Sequence, residues 1–283
     1  MSSDDASGKK LPPISEVIRQ FDLRPKKHLG QHYLLDPNIA ARIATAAGNL
    51  DTVDVLEIGP GPGGLTRALL DAGAKRITCI EYDRRFLPAL RQLEITYPGR
   101  LSVICSDALS FNWHSIIDRP THIVANLPYN IATPLLFKWL KLSTQLRGMT
   151  LMFQKEVAMR LIAKPGTSSY GRLSVMSQWQ CMVNHDFDIP SGAFKPKPRI
   201  TSSVVSLKPR RVPLAPADSD TLELVVKIAF NQRRKMLRTS LKALYSDPMP
   251  LLHIAGVNPT DRPDALSIEE FCAIARAYGE RII

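Results

Sequence analysis

Hydrophobic residues recur along the chain in short runs, and turns rich in glycine or proline separate these runs from stretches with helical spacing. The apolar runs predict strands at 53–58, 76–80, 101–105, 122–125 and 148–153. Helical spacing predicts helices at 14–21, 36–47, 64–71, 86–97, 134–142 and 155–163. Apolar strands that alternate with helices are typical of βαβ units, so we expect a parallel sheet covered by helices on both faces.

Beyond this alternation, a further strand pair is predicted at 172–183 and 202–207, and a proline-rich stretch lies between the two strands. A proline-containing linker follows, and helical spacing then predicts one amphipathic helix from Asp218 onward. The apolar stripe of this helix comprises Val226, Phe230, Leu237, Leu241 and Leu244. Its basic face comprises Lys227, Arg234, Arg238 and Lys242.

These elements predict an α/β protein in three parts. Residues 1–24 form an N-terminal tail and a leading helix, and residues 25–208 form a Rossmann-like domain. Residues 209–283 form a small all-helical C-terminal domain.

Composition narrows the class of protein. Hydrophobic residues make up 45% of the 283 residues, which is too many for a disordered chain. No uncharged apolar run approaches the roughly 18–20 residues that a membrane span requires, and the polar N-terminus has no apolar region typical of a secretory signal. We therefore expect a soluble, cytoplasmic protein that makes no contact with a membrane.

The cysteines and the nearest pair of histidines do not predict a metal site. The four cysteines are Cys79, Cys105, Cys181 and Cys272. They lie far apart, form no CxxC pair and are expected to be buried free thiols in a reducing compartment. His28 and His32 are four residues apart, but Gly30 lies between them and no third ligand is nearby.

The charge of the chain is concentrated in two segments. Lysine and arginine number 37 against 26 acidic residues, which gives a net charge of +11. Segments 195–211 and 227–242 each carry six basic residues and no acidic one, and the rest of the chain is nearly balanced. Two basic segments that lack acids are typical of a protein that binds a polyanion, above all a nucleic acid, although solvated basic faces are common.

A glycine-rich loop, 57–64, lies at the predicted turn between the first strand and its helix. Gly59, Gly61 and Gly64 fit the dinucleotide pattern GxGxxG. Pro60 and Pro62 have no N–H group, however, so the loop offers few donors to a pyrophosphate, and the carboxylate of Glu57 would repel one. The loop therefore favours a nucleoside cofactor that has a positive centre and no phosphate, as S-adenosylmethionine has.

Two further acids are predicted at the ends of neighbouring strands. Glu81 follows the second strand and could accept hydrogen bonds from both ribose hydroxyls of such a cofactor. Asp107 follows the third strand and could accept from the adenine amino group. Each acid by itself is typical of a surface residue or a helix cap, but open α/β sheets bind ligands at the carboxyl ends of their strands.

The tetrapeptide Asn-Leu-Pro-Tyr at 126–129 follows the fourth strand directly. An aromatic amine is a poor nucleophile because its lone pair is delocalised into the ring. Two acceptors, the Asn126 side-chain oxygen and the Pro128 carbonyl, could hold the two amino hydrogens and aim the lone pair at a methyl group. Tyr129 offers a face on which a flipped-out base can stack.

With these motifs, the chain resembles the bacterial small-subunit (16S) ribosomal RNA adenine dimethyltransferases from about residue 11 to its C-terminus. The matching blocks are KHLGQHYLLD (27–36), the glycine-rich loop, IEYD (80–83), Asp107-Ala108, NLPYNI (126–131), YGRLSV (170–175), FKPKPRITSS (194–203) and AFNQRRKMLRTSL (229–241). This resemblance implies a class I S-adenosylmethionine-dependent methyltransferase fold. The cofactor contacts that it implies are His32, Leu34, Gly59, Glu81, Asp107 and Asn126. It also implies that Phe194 stacks on the target base opposite Tyr129. The family usually has Asn-Phe where this chain has His32-Tyr33.

The activity implied by the resemblance is dimethylation of the N6 amino groups of two adjacent adenosines near the 3′ end of 16S rRNA, with S-adenosylhomocysteine as the other product and no metal. The expected partner is this RNA within the small ribosomal subunit or its precursor, the expected state is a monomer, and a role in ribosome biogenesis is expected. Candidate RNA-binding residues from the two basic segments are Lys195, Lys197, Arg233, Arg234, Lys235, Arg238 and Lys242. Two alternatives are a large-subunit rRNA adenine methyltransferase of the macrolide-resistance type and an assembly factor that kept the fold and lost the chemistry.

Overall fold

The computed structural model describes residues 11–26 and 29–282, the side chains as far as residue 280. The described strands are β1 (Tyr33–Leu34), β2 (Asp54–Ile58), β3 (Arg76–Glu81), β4 (Leu101–Cys105), β5 (Thr121–Ala125), β6 (Leu146–Gln154), β7 (Cys181–Ile189), β8 (Phe194–Lys195) and β9 (Ser202–Pro209). Seven of them form one sheet in the order β4-β3-β2-β5-β6-β9-β7. Strands β2 to β6 run parallel, whereas β9 is antiparallel to both β6 and β7.

The helices lie between the strands and after them. They are α1 (Ile14–Gln20), α2 (Pro37–Ala46), α3 (Gly64–Asp71), α4 (Leu87–Thr96), α5 (Tyr129–Leu140), α6 (Lys155–Leu161), α7 (Arg172–Gln180), α8 (Ser219–Asn231), α9 (Leu237–Ser240), α10 (Met249–Ile254) and α11 (Ile268–Ile282). Short 3-10 turns occur at Arg84–Phe86, Trp113–Ser115, Ser143–Gln145, Ser191–Ala193, Leu241–Ala243 and Pro263–Ala265. The described residues after β9 are helical or irregular, and the sheet with its parallel strands agrees with the α/β architecture predicted from the sequence.

The order of the strands indicates where in the fold a ligand would bind. The chain adds β3 and β4 on one side of β2 and then returns to add β5 and β6 on the other side. The carboxyl ends of these parallel strands therefore meet at one edge of the sheet, around the point where the strand order reverses. Open α/β sheets bind their ligands at such a point.

Two of the predicted elements are wrong. Residues 172–183 were expected to form a strand, but they form α7 as far as Gln180, and the strand β7 begins only at Cys181. Helix α7 is buried on most of its surface: Leu173, Ser174, Val175, Met176, Ser177 and Trp179 are all buried. A helix that is buried nearly all round lacks the one-sided apolar spacing by which a sequence reveals it.

The single amphipathic helix predicted from Asp218 onward is also wrong. Helix α8 ends at Asn231, and a new short helix, α9, begins at Leu237. The backbone N–H of Leu237 donates to the carbonyl of Asp261 and that of Arg238 to the carbonyl of Pro259, so distant parts of the chain set the direction of α9. The basic residues 234, 238 and 242 therefore do not share the face of one helix.

Two buried clusters form the core, one on each face of the sheet. One cluster runs without a break from Trp139 on α5 through Trp179 on α7 to Val226 and Phe271 on the C-terminal helices. The helical region after β9 thus packs directly onto the α/β region. Of the four cysteines, three are buried as predicted, but Cys105 is exposed because its side chain lies at the end of a strand near the edge of the sheet.

Candidate active site

A cleft of about 330 Å³ opens at the carboxyl ends of β2, β3, β4 and β5. It brings together every residue for which a catalytic or cofactor-binding role was predicted. These residues are His32, Leu34, Gly59, Glu81, Asp107, Asn126, Pro128, Tyr129 and Phe194. They come from distant parts of the chain, and their convergence on one cavity follows from the parallel strands that end there.

The loop between β2 and α3 forms the floor of the cleft. Gly59, Gly61 and Gly63 have φ angles of +67°, +55° and +88°, a region that favours glycine. A Cβ atom added at Gly64 would lie 3.2 Å from the carbonyl oxygen of Leu34, so the segment that contains β1 approaches the loop closely. Pro60 and Pro62 add no N–H donors, as the sequence indicates.

Two buried carboxyl groups face this loop. The carboxylate of Glu81 accepts hydrogen bonds from the N–H groups of Gly61 at 3.1 Å and of Asp83 at 2.8 Å. Glu57 is 1% exposed, and the thiol of Cys79 lies 3.5 Å from its Oε2 atom. Burial raises the pKa of each carboxyl group to about 7. This lining attracts positive charge and hydroxyl donors and repels a phosphate.

Asp107 follows β4 at the third strand end of the cleft. Its Oδ1 atom accepts a hydrogen bond from the N–H of Leu109 at 2.8 Å, which fixes the turn. Within the described residues no hydrogen bond engages its Oδ2 atom. That oxygen can accept a hydrogen bond from a ligand.

The tetrapeptide at 126–129 lies where β5 passes into α5. The Pro128 carbonyl accepts a hydrogen bond from the N–H of Ile131 at 3.1 Å, which fixes its direction and leaves a second lone pair. The Asn126 side chain has no hydrogen-bond partner among the described residues. The hydroxyl of Tyr129 lies 2.7 Å from the Ser202 Oγ atom, and burial raises the pKa of this tyrosine.

A short antiparallel pair, β1 with β8, closes the cleft on another side. It places Leu34 opposite Phe194. The Nδ1 atom of His32 lies 2.7 Å from the Pro196 carbonyl oxygen. Because a carbonyl only accepts, Nδ1 carries the proton, and no hydrogen bond to Nε2 is found among the described residues. The rings of His32 and Tyr129 are 6.2 Å apart and nearly parallel, at 27°.

The side chain of Gln31 holds the segment that contains β1 in place, and this residue was not identified from the sequence. Its side chain donates to Asp83 at 2.9 Å and accepts from Tyr33 at 3.2 Å. Arg85 donates to Asp83 as well, and although burial opposes it, these hydrogen bonds lower the pKa of Asp83 to about 2. Gln31 lies in the block at 27–36, but no spacing in the sequence points to its partners.

The predicted RNA-binding residues separate into two groups. Lys195 and Lys197 are exposed and follow Phe194 at the edge of the cleft. Of the residues predicted from the second basic segment, Arg234, Lys235, Arg238 and Lys242 are exposed. Arg233 differs, because its guanidinium donates to the carbonyls of Thr167 and Ser168 and to the carboxylate of Asp264. It holds two segments of this chain together, so fewer of its N–H donors remain for RNA than in the exposed basic residues, and its role in RNA binding stays a prediction.

No helix within 11–26 and 29–282 is long and apolar enough to cross a membrane. The same residues contain no group of three or more histidine, cysteine or acidic side chains that could hold a metal ion.

Comparison with known proteins gives consistent matches. The profile of a family described as ribosomal RNA adenine dimethylase matches residues 23–280. A relative from Dinoroseobacter shibae, named ribosomal RNA small subunit methyltransferase A, is 51% identical over 94% of this chain and 96% of its own length. A solved dimethyladenosine transferase from Plasmodium falciparum is 25% identical with a TM-score of 0.78, over 89% of this chain and 99% of that one. The 23S rRNA methyltransferase ErmE is 26% identical with a TM-score of 0.66, over 87% and 99%.

Proposed function

Because the chain belongs to the ribosomal RNA adenine dimethylase family, we propose that it dimethylates the N6 amino groups of two adjacent adenosines near the 3′ end of 16S rRNA. The methyl donor is S-adenosylmethionine, and the substrate is this RNA within the small ribosomal subunit or its precursor. The chain acts as a monomer in ribosome biogenesis. The proposal rests on the amide of Asn126 in the acid-lined cleft, which has no hydrogen-bond partner among the residues that the structure describes.

The small subunit is favoured over the large subunit as substrate. The Dinoroseobacter shibae relative named for the small subunit is 51% identical, whereas ErmE is 26% identical. The 126–129 motif has Leu127 where the macrolide-resistance enzymes usually have isoleucine, and those enzymes lack the AFNQRRK segment present here. An assembly factor without activity is disfavoured because the acids and the amide of the cleft are all in place.

The chemistry of the donor set fits S-adenosylmethionine. Glu81 would hold the ribose hydroxyls, Asp107 the adenine amino group, and Glu57 would favour the positive centre. When bound, the cofactor supplies an activated methyl group. The proline-interrupted loop and the buried carboxyl groups disfavour a pyrophosphate, which argues against a nicotinamide cofactor in the same fold.

The chain contributes to the transfer by positioning and polarisation. The Asn126 Oδ1 atom and the Pro128 carbonyl oxygen accept hydrogen bonds from the N–H groups of the target amine. These two bonds draw the amine nitrogen toward tetrahedral geometry. Tyr129, held by Ser202, offers its ring to the base. The nitrogen becomes acidic as it gains the methyl group, so its proton passes to water and no strong base is needed.

Mass spectrometry of RNA tests the proposal. Undermethylated small subunits are incubated with the protein and isotope-labelled S-adenosylmethionine, and nuclease fragments of the RNA are analysed. We expect labelled dimethyladenosine at two adjacent positions near the 3′ end of 16S rRNA. Label only in large-subunit RNA, or no label above that of Asn126→Ala, would contradict the proposal.

A further inference from the structure

A second cavity, of about 540 Å³, adjoins the cofactor cleft. The two cavities share Gly30, His32, Tyr129 and Asn130. The second cavity extends past Tyr129 to the carboxyl end of β6, the strand next to β5 on the side away from the cofactor loop. It therefore lies one strand further along the same edge of the sheet.

The two cavities differ in charge. The cofactor cleft is lined by the carboxyl groups of Glu57, Glu81, Asp83 and Asp107. The second cavity has no acidic lining residue among the described part of the chain, and His32 is its one titratable base there. The exposed Lys195 and Lys197 flank Pro196, whose carbonyl holds His32 at the shared boundary. The carboxyl groups of the cofactor cleft repel the phosphates of an RNA backbone. The described lining of the second cavity carries no such charge, so phosphates can lie beside it.

The lining of the second cavity suits a nucleobase. The aromatic rings of His32 and Tyr129 offer faces for stacking, a common way of holding unpaired bases. Asn130 on α5 and Gln154 at the end of β6 supply amide groups, and neither side chain has a hydrogen-bond partner among the described residues. Asparagine and glutamine amides pair with adenine through its N6 donor and its N7 acceptor.

We propose that this second cavity binds the adenosine next to the one being methylated, with Asn130 and Gln154 recognising its base edge. The inference rests on the proposed function, which supplies two adjacent adenosines as substrate. While one base lies in the cofactor cleft beside Asn126, its neighbour lies beyond Tyr129, and the enzyme reads the pair. The cavity thus determines specificity for the dinucleotide.

The test combines changes in the RNA with changes in the protein. Small subunits are reconstituted with 16S rRNA in which each of the two adenosines is replaced in turn by uridine, and kcat/KM for methylation of the remaining adenosine is measured. Wild-type protein is expected to show about a tenfold lower kcat/KM on at least one substituted subunit than on the unsubstituted one. In Asn130→Ala/Gln154→Met this ratio is expected to fall to about one. The control Gln92→Met alters an exposed amide on α4, outside both cavities, and should keep the wild-type ratio.

A second readout separates this inference from the proposed activity. Filter binding of the same subunits without cofactor measures the affinity difference between adenosine and uridine directly, and the single variant Gln154→Met serves if the double variant does not fold. An unchanged ratio in the cavity variants, or no preference in the wild type by either readout, overturns the inference. Absence of methyl transfer by the wild type, with a binding preference that the variants lose, overturns the proposed function alone.

Discussion

Glu57 should make the folded protein less stable as the pH rises through neutrality. Its pKa rises from the usual 4.5 to about 7 on folding, because burial disfavours the charged form. A carboxyl group whose pKa is raised in the folded state contributes stability that is fully present below pH 4.5 and lost as the pH rises through 7. A shift from 4.5 to about 7, at about 1.4 kcal/mol for each pH unit, gives a loss of about 3 kcal/mol.

Replacement of Glu57 by glutamine removes this dependence and preserves the shape of the side chain. The measurement is urea denaturation at pH 5 and at pH 8, from which the fall in the free energy of unfolding is taken for each protein. At pH 5 part of the loss has already occurred, so we expect this fall to be about 2.5 kcal/mol smaller in Glu57→Gln than in wild type. Titrating groups that do not interact with Glu57, such as the half-buried His122, are common to both proteins and cancel in the comparison.

The control is Glu156→Gln, which changes an exposed glutamate on α6 and should leave the fall unchanged. If Glu57→Gln shows the same fall as wild type, Glu57 ionises as freely in the folded protein as in the unfolded chain. The argument that a buried negative charge forms part of the cofactor cleft would then be wrong.

Four further predictions separate the parts of the proposed site. Glu81→Ala should weaken S-adenosylmethionine binding more than tenfold by calorimetry, because each hydrogen bond to a charged acceptor contributes ~1.5–3 kcal/mol. Asn126→Ala should retain most of this affinity but lower the single-turnover rate of methyl transfer by at least tenfold, and an unchanged rate would refute its role. Charge reversal of Arg234, Arg238 and Lys242 to glutamate should weaken subunit binding and flatten its dependence on salt without altering cofactor affinity; a salt slope equal to that of wild type would show that these residues do not contact RNA. Free duplex RNA should be methylated far more slowly than the folded subunit, since A-form helices hide their base edges, and equal rates would refute a flipped-out target base.

The sequence revealed most of the α/β fold because each strand is short, apolar and bounded by a turn. Once the strands are parallel, their carboxyl ends must meet, so acids that directly follow strands, such as Glu81 and Asp107, converge without any long-range information. The same logic brought Asn126 to the cleft. The roles of these residues in binding and catalysis remain predictions until the variants are measured.

The elements that escaped prediction are those fixed by tertiary contacts. Helix α7 lies inside the core, and the small side chains of Ser174 and Ser177 are buried together with its apolar residues, so polar positions do not mark an exposed face. The break between α8 and α9 depends on hydrogen bonds to Pro259 and Asp261, more than 20 residues away along the chain. Periodicity within one segment carries no information about such partners.

Buried acids that make the folded protein less stable can indicate a ligand-binding site. Glu57 and Glu81 are nearly fully buried, and burial raises the pKa of both, so each carboxylate destabilises the folded chain above neutral pH. Glutamine would fill the same space without this pH-dependent penalty. The hydrogen bonds that the two carboxyl groups accept within the chain do not offset the cost of burying their charge, since both pKa values stay raised. A pair of buried carboxyl groups at adjacent strand ends is therefore explained by a ligand that needs them, such as one with a positive centre and hydroxyl donors. The same reasoning predicts that stabilising substitutions at these two positions will be those that weaken cofactor binding.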